Sequence, residues 1–439
     1  MVFLIPPFQA PDEPNHFYRA QALSQGYLLA RRESDRVGAP MRAAIPQWVN
    51  ELFDDIAGHP ETKQSLDRLR ARRDASLDEH TVFVDFRNSA LYSPVAYLPQ
   101  AAGLALGRWY GLPLLNAYYL GRLLNLATAV ALCYWTVTRL PFGRLTFVLI
   151  ALCPMFLFEQ ASFSADALTY GLAAAFCGAV LERSADRGAP LRRRDVIELS
   201  WLGAAMALTK PPSAPLPLFV LLLLRRATGS PARRPWREVA LIIGISWAAM
   251  LAWSLTVGGM YAIANPTPGI DPAAQRAWMQ AHPIRFVEIL WHTFRAGFAE
   301  LCYSAVGVLG WLDTMLARRY ITYFYVVLAV SGAIAEPRAA HPGKSERGLA
   351  ALLALSTCVL IAMISYLTWT PVGAPLIAGL QGRYVLPLIV PWVVLLQWPP
   401  WAQSALGPRT RLAVAGACLI YAMFFLGHAF RVADRRYWL

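Results

Sequence analysis

The sequence predicts an all-α, polytopic transmembrane bundle, and three observations carry that prediction. Of the 439 residues, 56% are hydrophobic and only 15% are charged, against roughly 25% charged in soluble domains. Apolar runs of about 17 to 25 residues recur, each long enough to cross a hydrocarbon core of roughly 30 Å. The arginines behind the net charge of +13 gather in short loops between those runs. That is the pattern that orients membrane helices, not one that grips nucleic acid. No nucleic-acid partner is expected.

The elements follow in chain order. Met1 to Ile5 is apolar but too short to span a bilayer, and a further helix upstream is expected; nothing there has the basic region and longer apolar core of a signal peptide. Residues 6–92 read as a long outer loop, with a helix over 14–25 ending at Gly26 and a strongly charged helix over 61–79. Near 93–109 the segment NSALYSPVAYLPQAAGLALG returns to apolar character as a membrane-surface helix. Spans are expected near 114–138, 144–158, 163–182, 196–209, 213–225, 238–258, 318–335, 348–369, 384–398 and 411–429. With the stretches near 93–109 and 291–312, this gives about 10–12 membrane helices over 93–439 in a single domain, 1–439.

Arginine placement orients the bundle. Arg183, Arg187, Arg192, Arg193 and Arg194 fall in the loop 183–195, and Arg225, Arg226, Arg233, Arg234 and Arg237 in the loop 225–237. Arg338, Lys344 and Arg347 fall in 336–347, and Arg139 and Arg144 flank Pro141. All of these face the cytoplasm if 291–312 is interfacial or re-entrant rather than crossing. The loop 6–92 is then periplasmic, together with loops near 159–163, 210–213, 259–290 and 370–383. The six cysteines (Cys133, Cys153, Cys177, Cys302, Cys358, Cys418) all lie in apolar segments without metal-ligand spacing and read as small core residues.

On this arrangement the unusual polar motifs share one face: the opening PDEPNH, Glu159 to Asp166, Lys210-Pro-Pro, and Gln381-Gly-Arg383-Tyr384. Taken in order, PPFQAPDEPNHFYRA, NSALYSPVAYLPQ, Ser164-Ala-Asp166, TKPP and QGRY resemble a large family of bacterial multi-pass membrane proteins known as a domain of unknown function. That family is related to the GT-C superfamily, which includes protein mannosyltransferases, oligosaccharyltransferases and aminoarabinose transferases. The resemblance implies a GT-C-like bundle in the bacterial inner membrane. It implies a polyprenyl-phosphate-linked sugar as donor, an envelope glycan, lipid or protein as acceptor, and a catalytic Asp or Glu in the first outer loop. The matching positions are Asp12 and Glu13.

Inverting sugar transfer needs a carboxylate to take or orient the acceptor proton, and cations to stabilise the departing phosphate. Asp12 or Glu13 is the expected base, and the bland alternative is that Asp12 only caps the helix that begins near Pro14. His16 follows one turn later on the face of Asp12. Asp166 is either part of the site or a solvated cap. Phosphate contacts are expected from Lys210, Arg383 with its neighbour Tyr384, Arg122 and Arg19, with snorkelling to headgroups as the alternative for Lys210 and Arg383. Arg122 lies mid-span and requires a partner, Glu159 or Asp166. A divalent cation, Mg or Mn, held by Asp12, Glu13 and His16 with Asp166 nearby is a further possibility, although the spacing matches no standard ligand signature.

No Gly-rich phosphate loop, HExxH or GxSxG is present, which argues against ATP-driven transport and hydrolase chemistry. Without a soluble nucleotide-sugar domain, a sugar donor has to arrive through the membrane. Two alternatives stay open: a transporter or flippase of lipid-linked glycans, which predicts repeats with broken helices at midplane, and a polymerase or ligase of the same glycans.

Overall fold

Among the described residues of the computed structural model, five helices are long and apolar enough to cross a bilayer, and the molecule is built mainly of helices. The structure describes residues 1–75, 80–186, 190–225, 234–264, 267–334, 341–399 and 407–439. The expected loop residues Arg187, Arg226, Arg233 and Arg338, and the last part of the expected helix 61–79, lie outside the described residues.

The long segment before the first hairpin of helices folds as a subdomain. Helix α1 (Glu13–Ser24) ends where Gly26 takes φ +94, a left-handed turn that glycine adopts without strain. Strands β1 (Arg31–Glu33) and β2 (Arg36–Arg42) follow, then α2 (Ala44–Phe53), α3 (Leu66–Ala71), β3 (Thr81–Asp85) and α4 (Arg87–Ala90). The three strands form an antiparallel sheet, with Ala39 opposite Val84. The sheet is a small addition to a mainly helical molecule that the all-α expectation did not include, and within the described part of the charged helix expected over 61–79 the helix is the six residues of α3. The sheet forms because Val37, Ala39, Met41 and Val84 turn into a core with Phe8, Phe17, Trp48, Tyr118 and Phe163.

Two helices then form a hairpin, α5 (Leu98–Trp109) and α6 (Leu114–Arg139). They touch through glycine: a Cβ on Gly103 would lie 2.5 Å from Gly121 Cα, so no larger residue fits the crossing. The expected span 144–158 is two short helices, α7 (Arg144–Ala151) and α8 (Pro154–Gln160). Pro154 cannot continue the helical ladder and instead starts the second helix. Helix α9 (Ala165–Ala185) is buried nearly all round and forms the axis of the bundle. Around it lie α10 (Arg193–Thr209), a 3₁₀ run Leu216–Arg225 and α11 (Trp236–Val257). Then come α12 (Pro272–Ala281), α13 (Pro283–Gly307), a short hairpin β4 (Val308–Leu309) and β5 (Thr314–Met315), and α14 (Arg318–Ser331). Helix α15 (Lys344–Trp369), a 3₁₀ run Gly382–Leu388 leading into α16 (Ile389–Leu396), and α17 (Pro408–Tyr437) complete the described elements.

The bundle has two chemically distinct ends. At one, Arg139 bonds Glu182 and Glu198, and Arg183 bonds Asp195 and Glu198. Arg225 pairs with Glu346, and Arg347 reaches Leu395 O, at the same end. The other end carries the N-terminal subdomain and every polar motif singled out above. From Arg122 to Arg139 along α6 the rise is about 25 Å, so the two ends stand roughly a hydrocarbon core apart. Helix α13 keeps to the subdomain end: Ile377 N–H donates to Thr293 Oγ1 and Gly382 N–H to Ser304 Oγ, following the 370–383 segment.

Candidate functional site

The site begins in a strained loop. Phe8 and Asp12 both sit at left-handed φ, +66 and +61, a region non-glycine residues enter only when their surroundings force them. The forcing contacts are visible. Phe8 N–H donates to Tyr118 Oη, and its carbonyl accepts from Trp311 Nε1. Glu13, fully buried, takes Arg122 Nε on Oε1 at 2.9 Å and Arg122 Nη2 on Oε2 at 2.7 Å, plus Phe163 N–H on Oε1 at 2.8 Å. The remaining Arg122 donors go to the carbonyls of Val2, Ile5 and Pro6. Arg122 therefore finds its partner in Glu13, not in Glu159 or Asp166 as expected from sequence. Both residues are spent on holding the loop to α6.

Asp12 occupies the N-cap position of α1 but its side chain makes no cap bond, so the capping alternative does not describe it. Its carboxylate, about a third exposed, faces Arg383 Nη2 at 3.9 Å and Asn88 Nδ2 at 3.4 Å. Arg383 is held from behind by Glu159, whose Oε1 accepts from Nη1 at 2.6 Å, and its Nε is buried with no partner among the described residues. Tyr384 lies beside it, with the guanidinium 5.6 Å from the ring centroid.

Lys210 ends α10 and points its Nζ at Asp166 Oδ1, 2.7 Å away, over the ring of Tyr92. Burial works against the Lys210 charge, but Asp166 outweighs it and holds the ammonium above its ordinary value. Asp166 is buried, and Ser164, not Asp166, caps α9. That removes the solvated-cap alternative for Asp166. The extended Lys210 backbone follows from Pro211, which disfavours helix in the residue before it.

His16 completes the cluster. Its Nδ1 lies 2.6 Å from Tyr97 Oη, and its ring stacks near Tyr92. Burial, then the positive charges of Lys210 and Arg383, hold its imidazole down to about 3 despite the nearby Asp166 carboxylate, so at neutral pH it is uncharged.

The structure thus brings together Asp12, His16, Asp166, Lys210, Arg383 and Tyr384 from four separate parts of the chain. It sets Glu13 and Arg122 behind them as a closed pair. Arg19 is directed elsewhere: its guanidinium serves the carbonyls of Tyr27, Leu28 and Tyr92, a backbone clamp rather than an anion contact. The three ligands Asp12, Glu13 and His16 do not fit a divalent ion. Glu13 is fully engaged by Arg122, His16 Nδ1 by Tyr97, and among the described residues no three acid, histidine or cysteine groups are placed so that they could hold a metal ion together. Glu159, expected from sequence only as a partner for Arg122, belongs to the cluster through Arg383, and Tyr97 joins it through His16. Two open clefts on the subdomain, lined by Gln47, Glu51 and Arg72, lie away from it.

Residues 1–391 match the model of a family described as "Predicted membrane protein (DUF2142)". The chain belongs to that family. The match runs from the strained loop through the 3₁₀ segment that carries Arg383, and so takes in every residue of the cluster. No curated protein and no solved structure matches the chain.

Proposed function

We propose that this chain is an inverting glycosyltransferase of the GT-C type. It would transfer a sugar from a polyprenyl-phosphate donor to an envelope glycan, lipid or protein acceptor at the periplasmic face of a bacterial inner membrane. The observation that carries the reading is the pairing of a partly open carboxylate, Asp12, with a buried cation, Arg383, that still has a free N–H. In a lipid-facing protein such polar groups are costly and mark function.

In this mechanism the acceptor hydroxyl gives its proton to Asp12 as its oxygen bonds to the anomeric carbon. The bond from that carbon to the phosphate oxygen breaks, and the polyprenyl phosphate leaves with the electron pair. Arg383 Nε–H and the unused N–H groups of Lys210 meet the developing charge. Glu159 and Asp166 already partner these cations, which keeps them fixed in place before the donor arrives. The Arg-rich end, opposite the site, is assigned to the cytoplasm by charge.

The test is direct. The purified full chain in lipid nanodiscs, given radiolabelled polyprenyl-phosphate sugars and an envelope extract as acceptor, should yield a labelled product that Asp12→Asn protein does not make. Donor left unconsumed by the wild-type protein across hexose, aminosugar and pentose forms would overturn the reading.

A further inference from the structure

Tyr97 sits at the end of a 3₁₀ turn, Pro94–Tyr97, with its ring fully buried. Its hydroxyl has one hydrogen-bond partner among the described residues, His16 Nδ1 at 2.6 Å. Burial also holds the phenol well above its ordinary value, so it keeps its proton. A buried O–H has to donate somewhere or bear the cost of desolvation, and the imidazole Nδ1 is the acceptor available. Were Nδ1 to carry the imidazole proton instead, it would donate to the Tyr97 oxygen and leave the buried O–H without an acceptor among the described residues. The ring proton therefore belongs on Nε2. Nε2 makes no hydrogen bond to the described protein, and His16 keeps 7% of its surface open. The imidazole lies close enough to Lys210, Asp166 and Arg383 to feel all three charges.

We infer that Tyr97 is a positioning residue that fixes His16 as its Nε2–H tautomer, and that this N–H is an uncharged donor to a phosphate oxygen of the ligand. The inference rests on the phosphate-lipid reading above and adds a division of labour to it. Lys210 and Arg383 are each tied to a carboxylate, so an extra donor without charge strengthens the grip without disturbing the two ion pairs. It also removes His16 as a general base, because a nitrogen already bearing a proton cannot accept one from the acceptor.

The experiment uses the full chain with ¹⁵N-labelled histidine, His16 being assigned by loss of its signals in His16→Gln. Expected is an unprotonated Nδ1 and a protonated Nε2, unchanged between about pH 5 and 8, with the Nε2 signal moving when polyprenyl monophosphate, but not the neutral polyprenol, is added. Tyr97→Phe should give mixed tautomers and raise the KM for donor about tenfold with a smaller change in kcat, the loss of roughly one neutral hydrogen bond. His16→Gln, which retains an uncharged N–H, should hold donor affinity better than His16→Leu. A proton on Nδ1, a signal indifferent to the lipid phosphate, or equal loss in His16→Gln and His16→Leu would overturn the inference even if sugar transfer is observed. Conversely, a correct tautomer that responds to the lipid phosphate without any sugar transfer would leave the inference standing and remove the transferase.

Discussion

Arg122 closes on both oxygens of Glu13, at 2.9 and 2.7 Å, and this grip presents the residue before it. Asp12 is carried outward on a left-handed backbone towards Arg383 while Glu13 is drawn inward. Two adjacent acids that look interchangeable in the sequence thus take opposite duties, one anchoring and one open.

Asp12→Asn should lower transfer by about 10² to 10⁴-fold, the ordinary contribution of general acid–base catalysis. Expression and thermal midpoint in detergent should stay close to wild type, because the side chain is partly open and bears no cap bond. Single-turnover assays alongside melting curves check both halves; transfer at the wild-type rate would remove Asp12 as the base.

Glu13→Gln should behave in the reverse way. Removing one partner of a buried ion pair leaves an uncompensated charge and costs about 3–5 kcal/mol. Melting should therefore drop sharply, whereas activity per folded molecule should survive better than in Asp12→Asn. A Glu13→Gln protein that melts normally and is catalytically dead would exchange the two roles.

The neutral His16 gives a pH signature. Its ordinary value of 6.5 is held down to about 3 in the folded state, so the unfolded chain binds a proton that the folded one refuses. Stability is then full above about pH 6.5 and falls as pH drops towards 3. Thermal midpoints measured from about pH 7 to about pH 4.5 should decline in wild type and decline less in His16→Gln. Parallel curves for the two would show that His16 is not the source.

Arg383→Lys should raise the donor KM more than it changes kcat. A single ammonium cannot meet Glu159 at 2.6 Å, stand near Asp12 at 3.9 Å and still offer the N–H that Nε supplies. A headgroup-snorkelling residue would tolerate the change, so unaltered donor kinetics would return Arg383 to that role.

Sidedness can be checked without knowing the substrate. An alkaline-phosphatase fusion after Gln275, on the site end, should be active, and one after Leu191, among the arginines, should be silent. The opposite pattern would invert the bundle and move the cluster to the cytoplasm.

Much of the helix pattern could be read in the sequence, because long apolar runs and Gly26 announce themselves locally; α1 was expected over 14–25 and lies at Glu13–Ser24. The sheet could not. Its strands are three to seven residues long, β2 contains Pro40, and their pairing depends on a core contributed by Phe8, Trp48 and Phe163. The cluster was partly legible for a similar reason: a lysine or arginine next to apolar runs demands explanation wherever it stands. That demand says that a partner exists but not which one. Arg122 could have met any of several acids, and only the packing of the first loop on α6 selects Glu13. Glu159 is expected to hold Arg122 and instead holds Arg383, and Tyr97 is missed as a site residue because nothing local separates a positioning phenol from an ordinary core residue.

The tail of α17 has a consequence for assembly. Trp438 Nε1 donates to Leu4 O, Gln64 N–H to Tyr437 O, and Arg436 to Ile56 O. The first loop is thus clasped by residues some 373 to 434 positions later. During synthesis that loop emerges before α17 and lacks these three bonds until α17 has been made. Nascent chains stalled before α17 should accordingly expose the 6–92 region to protease long after their earlier helices have inserted.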